Sequence, residues 1–101
     1  MIIIAGTLDV QADQRNQLLE LAVPLMKATN AEPGNHEYVF SADPVDPGRV
    51  RIFELWESED ALGPHFAQPH MAAFGQAMSQ LTVTGSSVIK YTISGSAPLH
   101  G

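Results

Sequence analysis

Cysteine is absent from this 101-residue chain, and basic residues are scarce. Without cysteine the chain has no disulfide, no thiolate nucleophile and no cysteine-ligated metal. It carries only five lysines and arginines and a net charge of −6, with no basic cluster. Because nucleic acids and anionic membranes are bound through lysine and arginine, we expect neither as a partner.

Long apolar runs are also missing. No stretch approaches the roughly 18 apolar residues of a membrane span, and the opening Met-Ile-Ile-Ile-Ala-Gly is too short and lacks the basic residues of a signal peptide. The length suits one domain over residues 1–101, with 94–101 as a flexible tail. We therefore expect a cytoplasmic protein.

The motifs of several enzyme classes do not occur either. The chain has no H-E-x-x-H, no G-x-S-x-G, no dinucleotide or P-loop glycine pattern, and no pair of histidines with a carboxylate at helical spacing. A pair of histidines alone is too weak a signal for a metal. The sequence predicts no metal site and no cofactor.

The hydrophobic pattern that is present changes period along the chain. β-Branched and aromatic segments at 2–10, 35–42, 49–57 and 86–94 are typical of strands. Apolar residues recur at helical spacing from Ala12 to Thr29, a stretch that contains Pro24 and should be kinked there or lack one hydrogen bond. Ser58 is a good N-cap for a second, interrupted helical region that extends to about Gln80.

The resulting order, β-α-β-β-α-β, indicates an α+β, ferredoxin-like fold with two helices on one face of a four-stranded antiparallel sheet. Phe53 and Leu55 alternate with Val50, Ile52 and Trp56 on the third strand, so both faces of the sheet are partly apolar. The helices cover only one face. We therefore expect a homodimer, with a second subunit on the other face.

His65 and His70 are the candidate catalytic residues. On one continuous helix, five positions would separate them by roughly 140°. Pro69 lies between them and suits the first position of a new helix, so a break at Gln68 would let both rings face one pocket beside Trp56. The alternative is that the histidines cap a helix end or satisfy a buried backbone group.

Three residues on the predicted strands are further candidates. Glu54 shares a face with Trp56, and a buried carboxylate there would orient a histidine or have a raised pKa, unless it forms a salt bridge at the sheet edge. A lone tryptophan on a strand is otherwise a core residue. Tyr38, expected on the same side of its strand as His36, could donate a hydrogen bond to a substrate oxygen.

The stretch from Glu54 to Phe74, E-L-W-E-S-E-D-A-L-G-P-H-F-A-Q-P-H-M-A-A-F, together with E-P-G at 32–34, resembles the antibiotic biosynthesis monooxygenase family and its quinol monooxygenase-like members. The resemblance implies a dimeric α+β barrel with a pocket between sheet and helices in each subunit. Several members oxidise phenolic or quinol-like substrates with O2 and no cofactor. It also turns Trp56 towards the pocket, where Leu62 and Phe74 would complete an apolar wall.

The sequence departs from two subgroups of the family. Ile52 stands where an anthrone-oxidising member carries asparagine, and Leu62 stands where it carries tyrosine. The first strand lacks the asparagine of haem-degrading relatives, and the place of their axial histidine falls near Gly75. We expect a monooxygenase that oxidises a small aromatic quinol or enol with O2. His65 is the preferred base, with His70 or Glu54 assisting. The alternative is a metabolite-binding or isomerase-type member without oxygenase activity.

Overall fold

The computed structural model of the protein describes residues 1–100. Its elements are β1 (Ile2–Val10), α1 (Arg15–Asn30), β2 (Asn35–Ala42), β3 (Arg49–Trp56), α2 (Glu59–Leu62), α3 (Pro69–Met78) and β4 (Val83–Thr92), with short 3-10 segments at Ala12–Gln14 and Gly63–Ala67. One antiparallel sheet has the strand order β2-β3-β1-β4. The predicted α+β, ferredoxin-like fold is confirmed. No helix within residues 1–100 is long and apolar enough to cross a membrane.

The core lies between the sheet and the helices. Alternate residues of β3 face it, so Val50, Ile52 and Trp56 are buried whereas Phe53 is exposed. Leu18 and Leu25 of α1 are fully buried against this face. The period of two in the strand and the helical spacing in α1 thus bury their apolar sides against each other, as the sequence predicts.

The ends of the elements differ in part from the prediction. The first helix begins as a 3-10 turn and becomes α-helical at Arg15, and it continues through the exposed Pro24. The last strand begins at Val83, not at residue 86, because Val83 and Gly85 already pair with β1. Glycine is depleted in strands, so Gly85 gives no strand signal from sequence alone, but its pairing with Asp9 includes it in β4.

A bulge also alters β2. Asn35 pairs with Trp56 and Glu37 with Leu55, so the intervening His36 is an extra residue without a partner on β3. Tyr38 points into the core, whereas His36 is exposed and contacts Glu57. The expectation that His36 and Tyr38 share one side is therefore wrong, because the bulge interrupts the alternation.

The turn between α1 and β2 is held against α2. Gly34 adopts a left-handed conformation, with φ of 81°, and a Cβ added there would lie 2.5 Å from the Cβ of Ala61. The backbone N–H of Glu57 donates to the Gly34 carbonyl at 2.8 Å. Glycine is thus required on two grounds, and the close approach brings Glu32 next to the second helical region.

Candidate active site

His65 and His70 meet at one carboxylate. The Nδ1 atom of His65 lies 2.7 Å and the Nε2 atom of His70 lies 2.8 Å from Oε2 of Glu32. Gln68 is extended, with φ of −73° and ψ of 146°, and Pro69 begins α3, so the predicted break separates the two histidines and turns them towards a common point. The two rings thus approach one carboxylate, whereas the predicted common pocket beside Trp56 is not formed. Glu32, on which they converge, was not predicted.

These hydrogen bonds define the histidine tautomers. A carboxylate accepts, so the His65 Nδ1–H and the His70 Nε2–H both donate to Glu32. In the neutral rings, Nε2 of His65 and Nδ1 of His70 are then the acceptor nitrogens. His65 has 1% of its surface exposed and Glu32 has 9% of its side chain exposed, so these two members of the cluster are buried, whereas His70 is partly exposed.

Aromatic side chains enclose His65. Its ring centroid lies 5.0 Å from that of Trp56 and 5.2 Å from that of Tyr38. Burial raises the pKa of the Tyr38 hydroxyl, and the nearby Glu54 and Glu32 raise it further, so this group stays protonated. The hydroxyl lies 3.9 Å from Sδ of Met71. Tyr38 therefore packs as a core residue, and its predicted role as a donor to substrate stays untested.

Glu54 is a buried carboxylate on β3. It accepts a hydrogen bond from the Trp56 indole N–H at 3.0 Å. Burial raises its pKa, while the Trp56 hydrogen bond and the charge of His65 act in the opposite direction. Among residues 1–100 no lysine, arginine or histidine forms an ion pair with Glu54, so of the sequence-based alternatives the structure favours the raised pKa. Glu32, rather than Glu54, orients the histidines.

Glu54 lines a cavity of about 300 Å³ on the helix-covered side of the sheet. The lining residues come from β1, β3, β4, α2 and the 3-10 segment after it: Ile4, Glu54, Glu59, Leu62, Gly63, Phe66, Val88 and Lys90. Lys90 and Glu59 form an ion pair of 2.8 Å between two half-exposed side chains. The cavity thus combines apolar walls and one buried carboxylate, the composition expected of a small-molecule site.

The predicted site residues are divided among different surroundings. Glu54 and Leu62 line the cavity, whereas Trp56, Tyr38 and His65 form a buried layer that is not part of its lining. His70 and Phe74 instead line a separate crevice of about 220 Å³ between α1 and α3. Trp56 is sealed because His65 packs on it, and the Phe74 ring packs edge-on against Phe40 at 5.7 Å. The seven predicted site residues therefore do not line a single pocket.

Of the eight residues that line the cavity, only Glu54 and Leu62 were predicted from sequence as site residues; Phe66 and Lys90 are two of the six that were not. Phe66 has 62% of its surface exposed and belongs to no apolar stripe, and Lys90 lies on a strand far along the chain. The only sequence signal that could have indicated Phe66 is its position directly after the candidate histidine His65. The pairing of β1 with β4 decides where Lys90 lies, and Ile4 is its partner in that register.

Comparison with known proteins identifies the family of the chain. The sequence profile of the antibiotic biosynthesis monooxygenases matches residues 1–77. A Deinococcus radiodurans crystal structure, provisionally described as such a monooxygenase, is 31% identical, with a TM-score of 0.89 and complete coverage of both chains. A Caulobacter crescentus structure with the same provisional description is 24% identical, with a TM-score of 0.83, and the match covers 93% of this chain and 90% of that one. At this identity the similarity shows the fold alone.

A related protein sequence of undescribed activity matches most of the chain. An uncharacterised Synechocystis protein is 26% identical over 92 residues, which are 91% of this chain, and the match spans 63% of that protein's length. The profile match, by contrast, covers well over half of the present chain and includes Glu32, Glu54, His65 and His70. The chain belongs to the antibiotic biosynthesis monooxygenase family.

Proposed function

We propose that this protein is a cofactor-independent monooxygenase that oxidises a small aromatic quinol or enol-type substrate with O2 in the 300 Å³ cavity. The observation that carries the proposal is Glu54, a buried carboxylate with a raised pKa at the wall of an apolar cavity. Family membership supports the class of reaction. A homodimer in the cytoplasm is part of the proposal.

Glu54 is the general base of this proposal, in place of His65. A base must reach the proton that it removes, and Glu54 lines the cavity whereas His65 does not. A carboxylate whose pKa is raised towards neutrality is also a stronger base than an ordinary one. The Trp56 N–H holds one oxygen of Glu54 and leaves the second oxygen for the substrate hydroxyl.

Glu32, His65 and Trp56 act as positioning residues behind Glu54. Glu32 fixes the His65 ring through Nδ1, the His65 ring packs on Trp56, and the Trp56 indole donates to Glu54. Each contact is buried, so the carboxylate is held in one place when the substrate enters. Leu62, Phe66 and Val88 supply the apolar contacts for an aromatic ring.

The reaction needs no external reductant. Glu54 takes the proton of a substrate hydroxyl, and the electron-rich anion passes one electron to O2, giving a substrate radical and superoxide. The two combine at a ring carbon, and the peroxide oxygen takes the proton held by Glu54, so Glu54 returns to its carboxylate form and a hydroperoxide results. Cleavage of its O–O bond releases water and leaves one oxygen atom on carbon, so a hydroquinone and O2 give a hydroxyquinone and water. Substrate supplies all the electrons.

Oxygen uptake tests the proposal directly. The wild-type protein is supplied with a panel of hydroquinones, naphthoquinols and anthrones, and O2 consumption is compared with the rate without protein. We expect one O2 consumed per substrate and one ¹⁸O atom in the product when ¹⁸O2 is used. Substrate-dependent uptake that stays at the uncatalysed rate across the panel would contradict the proposal.

A second candidate is a metabolite-binding or isomerase-type protein of the same family. Ile52 and Leu62 favour it, because they remove the asparagine and tyrosine that an anthrone-oxidising member carries. A buried carboxylate can equally move a proton between carbons of an enediol without O2. Binding of an aromatic ligand that quenches the fluorescence of Trp56, the single tryptophan, with no oxygen uptake, would favour this candidate.

A further inference from the structure

Glu32, His65 and His70 form a compact set of metal-ligand atoms. The structure brings one carboxylate oxygen and two imidazole nitrogens within 4.8 Å of one another. The histidines lie 33 and 38 positions from Glu32, so no sequence motif reveals the set. Two imidazoles and one carboxylate are ligands that suit Zn²⁺ and neighbouring first-row divalent ions.

The spacing is close to that of a bound ion. Zinc bonds of about 2.0–2.2 Å place tetrahedral ligand atoms roughly 3.3 Å apart. The two distances to Glu32 Oε2, 2.7 Å and 2.8 Å, need to widen by about half an ångström, and the two histidine nitrogens, which lie within 4.8 Å of each other, need to reach the same separation. Each histidine also needs its other tautomer, so that His65 Nδ1 and His70 Nε2 present lone pairs.

An entry path leads to the cluster from outside. Glu32 lines an open cleft of about 510 Å³, whose residues include Glu57 and Asp60 and no lysine, arginine or histidine. Glu57 also contacts the exposed His36 beside the cleft, but no lysine or arginine lines the opening, so its three carboxylates attract cations there. Glu32 therefore joins the cleft to His65 and His70, and a water molecule from the cleft could complete the coordination of an ion there.

We propose that Glu32, His65 and His70 form a site for one divalent transition-metal ion per chain. Hydrogen bonds hold the same three residues together in the structure, and a bound ion would replace these bonds by coordination. Glu32 and His65 also hold Glu54 in place in the proposed oxidation, but metal binding is measured without substrate, so the inference can fail or hold independently of that oxidation. The ion would join the α1–β2 turn, the 3-10 segment and α3 into one rigid unit.

Cobalt titration tests this site. Untagged protein is freed of metal with a chelator and titrated with Co²⁺, and the visible absorption bands are followed; Zn²⁺ is then added as a competitor. We expect one Co²⁺ per chain, intense bands of four- or five-coordinate cobalt, and their loss on addition of Zn²⁺. At saturating Zn²⁺ the melting temperature should rise by on the order of 10 °C.

Matched variants distinguish this site from adventitious binding. Glu32→Gln and His70→Ala should each lower the affinity by more than about a hundredfold, beyond the effect of losing an outer-shell partner. His36→Ala/His100→Ala removes the other two histidines, both exposed, and should bind as the wild type does. His70 is partly exposed, so His70→Ala keeps the test valid if Glu32→Gln does not fold. Absence of the bands in the wild type, or their retention in His70→Ala, would overturn the proposal.

Discussion

The uncovered face of the sheet should form a homodimer interface. Val39, Phe53, Ala5 and Ile89 are cross-strand neighbours in one row on this face. Val39, Phe53 and Ile89 remain 42%, 37% and 50% exposed. A contiguous row of half-exposed apolar side chains is a typical association surface. We expect two chains to bury it against each other with two-fold symmetry.

Phe53→Glu should weaken the dimer at least about a hundredfold. A phenylalanine buries roughly 200 Å² when fully covered, so the exposed third that an interface would cover is worth about 2 kcal/mol. Symmetry places two copies in the interface, which doubles the loss to about 4 kcal/mol, and the conversion of area to affinity is incomplete. Each 1.4 kcal/mol is a factor of ten in Kd, so a hundredfold is a conservative expectation.

Sedimentation equilibrium from nanomolar to micromolar concentration measures this effect. Leu55→Glu, on the same face, should act in the same direction, whereas Val45→Glu is the control because Val45 lies in a turn and is 90% exposed. A wild-type protein that is monomeric at micromolar concentration would refute the reasoning. So would a Phe53→Glu variant that dimerises as tightly as the wild type.

Three further predictions concern buried or paired ionisable groups. Burial raises the pKa of Glu54, so the free energy of unfolding falls as pH rises through the interval between its ordinary and its raised pKa. In urea unfolding, the free energy of unfolding of Glu54→Gln relative to that of the wild type should therefore be higher at pH 8 than at pH 4. The pKa of Asp43 is lowered to about 2 by hydrogen bonds from the backbone of Asp46, the Arg51 side chain and the backbone of Val45. The stabilisation by Asp43 is therefore present above about pH 4 and lost as pH falls towards 2. In Asp43→Asn the free energy of unfolding should depend less on pH in that window. His65→Ala should lower kcat/KM by about 10- to 100-fold. It should also move the acid limb of the pH–rate profile to higher pH, because the charge of His65 lowers the pKa of Glu54. His70→Ala should have a smaller effect.

The fold could be predicted from the sequence because its determinants are local. Ser58 caps α2 by accepting from the Ala61 N–H at 3.1 Å, and Pro69 begins α3. Both residue types act within a few positions of themselves. The alternation on β3 likewise assigns Glu54 and Trp56 to the buried face. The bulge at His36 was missed because it depends on the register with β3, a contact between distant parts of the chain.

The site could be predicted only in part. The break at Gln68 indicated that His65 and His70 converge, but Glu32 reads from sequence as the first residue of a turn. Its role arises because Gly34 packs on Ala61 and carries the turn towards the histidines. The sequence also favoured His65 over Glu54 as the base. In the structure the 3-10 segment buries His65, whereas Glu54 lies at the cavity wall. Which of two neighbouring side chains reaches a cavity depends on packing in three dimensions.

The most direct test of the proposed function is the turnover of Glu54→Gln with the quinol that the wild type consumes fastest. Glutamine keeps the shape and can still accept the Trp56 hydrogen bond, but it cannot take a proton at neutral pH. We expect kcat/KM for oxygen uptake to fall by about 10²- to 10⁴-fold, the usual contribution of a general base. Glu37→Gln, at an exposed position on β2, should match the wild type. A Glu54→Gln variant that turns over within about threefold of the wild type would contradict Glu54 as the base.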